Sequence, residues 1–172
     1  MKKLFLEVSK CTGCGQCALT CAFHNTETFD LKQSNIHVVQ WEDICLSVPV
    51  VCQQCGDAQC IEICPTDALS WDPERHTITL DKVKCIQCEA CIYECTYDAM
   101  HITGEGYPAT CDQCNGDPQC VKVCFPGALS YIEVPDDVGE QFREVVKSLV
   151  ERGDGKNIPP PILLKNIGSL HP

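Results

Sequence analysis

The chain has 172 residues and a formal charge of −11 at pH 7, which excludes the basic surface that nucleic-acid binding requires. Aromatic residues make up only 6% while cysteines number 17, so large apolar side chains alone would struggle to offset the ordering entropy of so many loop residues. Cysteine at this density means either disulfides in an oxidising compartment or metal–thiolate bonds in a reducing one.

Taken from the N-terminus, Met1-Lys2-Lys3-Leu4-Phe5-Leu6 starts as a secretory leader does, but Glu7 and Lys10 interrupt it before any cleavage site. That predicts a cytoplasmic setting with reduced thiols. No segment approaches the roughly 18 to 20 apolar residues of a membrane span, so no direct membrane insertion is expected. Leu4 to Val8 and Ile36 to Trp41 read as strands, with the cysteine group Cys11, Cys14, Cys17, Cys21 between them. Cys45, flanked by Ile44 and Leu46, belongs to no group and is expected to be buried as a small hydrophobe.

A second group, Cys52, Cys55, Cys60, Cys64, leads into Leu69-Ser70-Trp71, a turn over 72–76 and Thr77 to Leu80, which together predict a hairpin. The third group is Cys85, Cys88, Cys91, Cys95 and the fourth Cys111, Cys114, Cys120, Cys124. A brief helical turn is expected after the third cysteine of each group. From about Val134 cysteine disappears. Asp136 and Asp137 can cap a helix there, with Glu140 following, and Phe142, Val145, Val146, Leu149 and Val150 form its apolar stripe. Beyond Gly153, the run Ile158-Pro159-Pro160-Pro161-Ile162 predicts an extended arm, packed either on its own domain or on another subunit.

Sixteen of the seventeen cysteines thus form four groups of four, each ending in C-x3-C. Groups one and three have the C-x2-C-x2-C-x3-C spacing of bacterial ferredoxins, in which the fourth cysteine serves the neighbouring cluster. Four [4Fe–4S] clusters are the implied cofactors, and metal-free protein should be largely unfolded. Each oxidised cubane with its thiolates adds roughly −2 to an already acidic chain, so a partner with a basic docking face is expected. Zinc fits less well, because its four-cysteine sites separate two C-x2-C units by a longer spacer. C-x2-C disulfides would be strained. No paired base or nucleotide motif supports catalytic thiol chemistry, and no catalytic residue is assigned.

Three groups continue alike, with Ala68-Leu69, Ala99-Met100 and Ala128-Leu129 placed for close passage of backbone beside a cluster, whereas group one runs on as Cys21-Ala22-Phe23-His24. His24 and His101 lie near cluster cysteines, with tuning of a potential set against a surface or structural role. Trp41 and Trp71 are expected to shield clusters rather than carry electrons.

The spacing order 2,2,3; 2,4,3; 2,2,3; 2,5,3, together with the stretch Val48-Pro49-Val50 through Cys52-Gln53-Gln54-Cys55-Gly56-Asp57, resembles the four-cluster electron-transfer subunits of molybdenum and tungsten oxidoreductases. That family includes the iron–sulfur subunits of dimethyl sulfoxide reductase and formate dehydrogenases, and the chain looks most similar to those serving tungsten aldehyde oxidoreductase-type enzymes, benzoyl-CoA reductase complexes included. The resemblance implies an α+β fold of two interleaved ferredoxin-like units with short hairpins and helices. The inner unit would cover about 45–104, the outer unit 1–44 with 105–134, and a helix and docking tail 135–172.

Carried over residue by residue, the ligand sets become Cys11, Cys14, Cys17 with Cys124; Cys52, Cys55, Cys60 with Cys95; Cys85, Cys88, Cys91 with Cys64; and Cys111, Cys114, Cys120 with Cys21. The implied role is a non-catalytic subunit relaying single electrons between a tungsten or molybdenum pterin enzyme and a flavin subunit or soluble ferredoxin. A freestanding polyferredoxin is one rival reading. Another is a structural cluster module joining subunits of a hydrogenase, formate dehydrogenase or carbon monoxide dehydrogenase complex.

Overall fold

The computed structural model describes residues 2–42, 45–95 and 97–133. The helix and arm expected beyond 135 lie outside the described residues. Among the described residues six short strands form three separate two-stranded antiparallel sheets: β1 (Lys2–Leu6) with β6 (Leu129–Glu133), β2 (Ile36–Trp41) with β3 (Leu46–Val51), and β4 (Leu69–Asp72) with β5 (Thr77–Leu80). Four helices complete the frame, α1 (Gln16–Thr26), α2 (Gln59–Glu62), α3 (Ala90–Tyr93) and α4 (Gln119–Lys122). Each begins one residue before the third cysteine of its group, slightly earlier than expected. Mixed α and β architecture with ferredoxin-like hairpins follows.

Three of these helices are single turns because the chain must turn back after the fourth cysteine. Asp67, Asp98 and Gly127, three residues beyond Cys64, Cys95 and Cys124, all adopt positive φ, a conformation that Gly and Asp tolerate better than most residues. His24 holds the same place in group one and remains helical, so α1 runs on to Thr26. The departure of group one from the repeat is therefore a long helix in place of a turn.

β3 was not expected. Its Pro49 faces Val38 across the β2 register, which a two-stranded sheet tolerates because one edge of each strand has no ladder to break. The β2–β3 hairpin also straddles the boundary near residue 44 between the two expected units. Cys45 lies between these strands with positive φ and is exposed, so the expectation of a buried thiol is corrected: a hairpin turn projects it away from the core. Its Sγ lies 3.9 Å from the Glu42 carbonyl.

Two apolar cores result. The larger gathers Leu4, Leu6, Val8, Ile36, Val48, Val50, Val51 and Leu129 around Cys17, Cys21, Cys111 and Cys120, with Trp41 against its edge. The smaller joins Ala58, Leu69, Ile78 and Met100 to Cys60 and Cys91, with Trp71 against it. Cys52, Cys55 and Cys95 pack against both cores and mark the seam.

Candidate metal centres

The cysteine loops share one backbone device. The residue before the second cysteine of each group, Gly13, Gln54, Gln87 or Gln113, has positive φ, which curls the C-x2-C segment so that both thiols turn inward. In group one only glycine fits. A Cβ on Gly13 would stand 2.2 Å from Gln40 Nε2 and 2.5 Å from Ser47 Oγ of the β2–β3 hairpin, and Gln40 Nε2 donates to the Gly13 carbonyl at 3.0 Å.

Sulfur neighbours emerge from the thiol electrostatics. Cys17 is pushed up to about 11, first by desolvation and then by the charges of Cys11, Cys124 and Cys14. Desolvation also raises Cys52 to about 12, with Cys55, Cys60 and Cys95 adding to it. Cys91 rises to about 11 through desolvation and the adjacent Cys64, Cys88 and Cys85. Cys120 reaches about 12, from desolvation and then Cys21, Cys114 and Cys17. Cys124 thus bears on Cys11 and Cys17, Cys95 on Cys52 and Cys60, Cys64 on Cys91, and Cys21 on Cys111, Cys114 and Cys120.

Neighbours across these sets put them in a row. Cys91 bears on Cys60, Cys52 on Cys111, and Cys17 on Cys120. The order runs from the Cys85 set through the Cys52 set and the Cys111 set to the Cys11 set. Each end carries an exposed sulfur, Cys88 at one and Cys14 at the other.

The donor chemistry suits a highly cationic multi-iron group. Desolvated thiols that repel one another as anions need positive charge among them before they deprotonate. Backbone N–H groups already face several sulfurs: Asn35 to Cys21 at 3.3 Å, Ala68 to Cys64 at 3.3 Å and Leu129 to Cys124 at 3.4 Å. At Cys64 desolvation pushes upward, but N–H groups of Thr66, Leu69 and Ala68 outweigh it and hold the thiol below its ordinary value. Among the described residues no group of three or more His, Cys, Asp or Glu is gathered tightly enough for one metal ion.

Ala68, Ala99 and Ala128 are all buried, and Ala68 approaches Cys64 through the N–H bond just given. His101 is half-buried with its ring 6.1 Å from His37, edge to face. His24 sits where its charge bears on Asp117. Gln54 and Gln113 were not singled out beforehand, yet they are two of the few buried polar residues. Their signal was the recurrence of Gln before the second cysteine in three groups. No helix among the described residues is long and apolar enough to cross a membrane.

Comparison with known proteins gives a consistent picture. A 4Fe-4S dicluster domain family matches residues 51–99, the stretch holding groups two and three. NADH-dependent phenylglyoxylate dehydrogenase subunit beta of Aromatoleum evansii is 35% identical over 77% of this chain, which spans only 31% of that subunit. The polyferredoxin-like subunit of aliphatic sulfonate oxidoreductase from Pyrococcus furiosus is 34% identical over 90% of this chain and 88% of its own length. Electron transport protein HydN of Escherichia coli is 29% identical over 76% of this chain and 87% of its own. A chain of the BamBC active site complex of benzoyl coenzyme A reductase aligns over 98% of this chain with a TM-score of 0.46 and 22% identity, a likeness too loose to argue from.

Proposed function

Because this chain belongs to the polyferredoxin-like family of iron–sulfur electron-transfer proteins, we propose that it relays single electrons through four [4Fe–4S] clusters between a catalytic oxidoreductase subunit and another redox carrier. The ligand sets are Cys11, Cys14, Cys17, Cys124; Cys52, Cys55, Cys60, Cys95; Cys64, Cys85, Cys88, Cys91; and Cys21, Cys111, Cys114, Cys120. A cubane bound by four thiolates supplies a one-electron couple with a rigid cage. The protein's part is to desolvate the sulfurs, aim N–H groups at them and hold the sets in series.

The observation that supports this reading is that sulfurs of successive groups bear on one another, Cys91 on Cys60, Cys52 on Cys111 and Cys17 on Cys120, while Cys88 and Cys14 are exposed. The catalytic partner is a tungsten or molybdenum pterin enzyme in a cytoplasmic complex, and the second carrier is a flavin subunit or a soluble ferredoxin. In the segment that carries Cys88, Val83 and Tyr93 are 95% and 82% exposed, with Ile86 also open, apolar surface that favours a docked subunit over a freely diffusing carrier.

Anaerobic preparation from the native source followed by metal analysis tests it. About sixteen irons per chain are expected from four cubanes, with tungsten or molybdenum on a co-purifying subunit. Zinc in place of iron would overturn the cluster reading; full iron with no partner would leave a freestanding polyferredoxin.

A further inference from the structure

Gln54 is 1% exposed and stands at the seam between the two cores. Its backbone N–H points at Cys52 Sγ, in the second set of the row. The side chain reaches the other way. Nε2 donates to the Cys111 carbonyl at 2.6 Å, and Oε1 accepts from the Ile78 N–H of β5 at 2.8 Å. One residue therefore contacts a sulfur of one set, the backbone of a cysteine of the next, and the strand that carries the inner hairpin.

The equivalent residues do not do this. Gln113 is also buried, but its Oε1 accepts from Tyr131 of β6 at 3.1 Å, within the outer segments. Gln87 is exposed near the Cys88 end, and group one has Gly13. Gln54 alone among these four positions spans two sets, and it does so where Cys52 and Cys111 are electrostatic neighbours.

We propose that Gln54 is a positioning residue for electron transfer across the junction of the two units, a polar strut that fixes the Cys52 loop against the Cys111 loop. The inference rests on the electron-relay reading above. The transfer it serves moves one electron from the donor set to the acceptor set, with no bond formed or broken and no proton displaced. Buried amides anchored at both ends are rigid, because releasing either end leaves an unpaired polar group in an apolar seam. A fixed loop spacing is what a tunnelling step between adjacent sets needs.

The test uses the full chain carrying its clusters, in parental form and as Gln54→Met, Gln54→Glu and Gln87→Met. Methionine removes both polar ends. Glutamate keeps an oxygen for Ile78 N–H but removes the donor to Cys111. Three readouts are needed: iron per chain, hydrogen exchange of the Ile78 segment, and the rate at which an electron introduced by flash photoreduction redistributes between the two units. Both Gln54 variants should retain parental iron while redistribution slows about tenfold, equivalent to about 1.4 kcal/mol on the barrier. Exchange at Ile78 should accelerate in Gln54→Met and stay near parental in Gln54→Glu, and Gln87→Met should leave both the Ile78 exchange and the redistribution rate at parental values.

Parental redistribution rates in both Gln54 variants would overturn the assignment, as would equal slowing by Gln87→Met. Loss of iron from either Gln54 variant would also count against it, since the strut is assigned to the contact between sets and not to holding one. A parental chain that binds no iron would instead remove the relay reading itself.

Discussion

The inner hairpin joins β4 to β5 through the short turn 73–76 and pairs Leu69 with Leu80, after which Asp81 N–H donates to the Ala68 carbonyl at 2.8 Å. The outer hairpin pairs Leu129 of β6 with Leu6 of β1, and Glu7 N–H donates to the Ala128 carbonyl at 2.8 Å. In both, the first cysteine of a C-x2-C-x2-C-x3-C group is the fifth residue after the second leucine. The same antiparallel pairing is thus built twice, once from neighbouring residues and once from opposite ends of the described chain. By chain statistics, closing a loop roughly thirty times longer costs about 3 kcal/mol more. The β4–β5 pair can form locally, whereas the β1–β6 pair depends on long-range closure.

Cysteine removal should give the largest effect and shows whether the two units share ligands as proposed. Cys95→Ala in the inner unit is expected to remove the cluster of Cys52, Cys55 and Cys60, leaving that of Cys85, Cys88 and Cys91. Cys21→Ala in the outer unit should remove the cluster of Cys111, Cys114 and Cys120. Iron analysis and low-temperature EPR read the loss. Loss instead of the cluster nearest in sequence would break the correspondence between the units.

Leucine truncation sharpens the comparison at the next scale. Leu6 and Leu69 are both essentially buried, at 1% and 2% exposure, and Leu→Ala at such sites costs about 2 to 5 kcal/mol. The cavity loss should be similar, but only Leu6→Ala loosens a contact between distant segments. Denaturant unfolding of holo-protein should show Leu6→Ala releasing the outer clusters while inner-cluster signals persist. Leu69→Ala should weaken the inner unit first.

How far the sequence foretold these units depends on contact range. β2 and the β4–β5 hairpin were legible because their apolar pattern and turn are local, and cysteine spacing located the starts of the four helices to within two residues, though not the length of α1. β3 was hidden by Pro49 inside a continuous apolar run, Val48 to Val51, which lacks the alternation that marks a half-buried strand. The partner of β1 was invisible, since a strand pattern says nothing about what lies opposite it. Cys45 misled because apolar neighbours describe composition, whereas its exposure comes from the hairpin geometry. Gln54 carries no chemistry by itself, and its role arises only where two loops distant in sequence meet.

The contact between His37 and His101 should respond to pH. His37 of β2 and His101 of the inner unit both have pKa values lowered below 6.5, chiefly by desolvation; at His37 the adjacent His101 adds to the lowering, while Asp98 opposes it at both. The unfolded chain therefore binds more protons than the folded one just below pH 6.5, so stability rises with pH there. The contribution is fully present above 6.5 and is lost as pH falls through the lowered folded values. Thermal unfolding of holo-protein between pH 7.5 and 5.5 should show a falling midpoint whose slope lessens in His37→Gln. An unchanged slope would mean that this contact does not sense protons.

The smallest effect is expected at Lys82, whose Nζ lies 2.5 Å from Glu105 Oε2 and 5.3 Å from the centre of the Tyr107 ring. This cluster ties the loop after β5 to the 103–107 turn, so it is the inner unit's nearest analogue of a long-range clasp. Both charged side chains are more than half exposed, at 57% and 60%; water and salt screen the pair, and an exposed ion pair contributes less than about 1 kcal/mol. Lys82→Ala should therefore shift stability by no more than that, with the shift shrinking further in high salt. A loss above about 2 kcal/mol, well outside what exposed pairs provide, would mean that the inner unit also depends on a distant tie. Its difference from the outer unit would then be one of degree and not of construction.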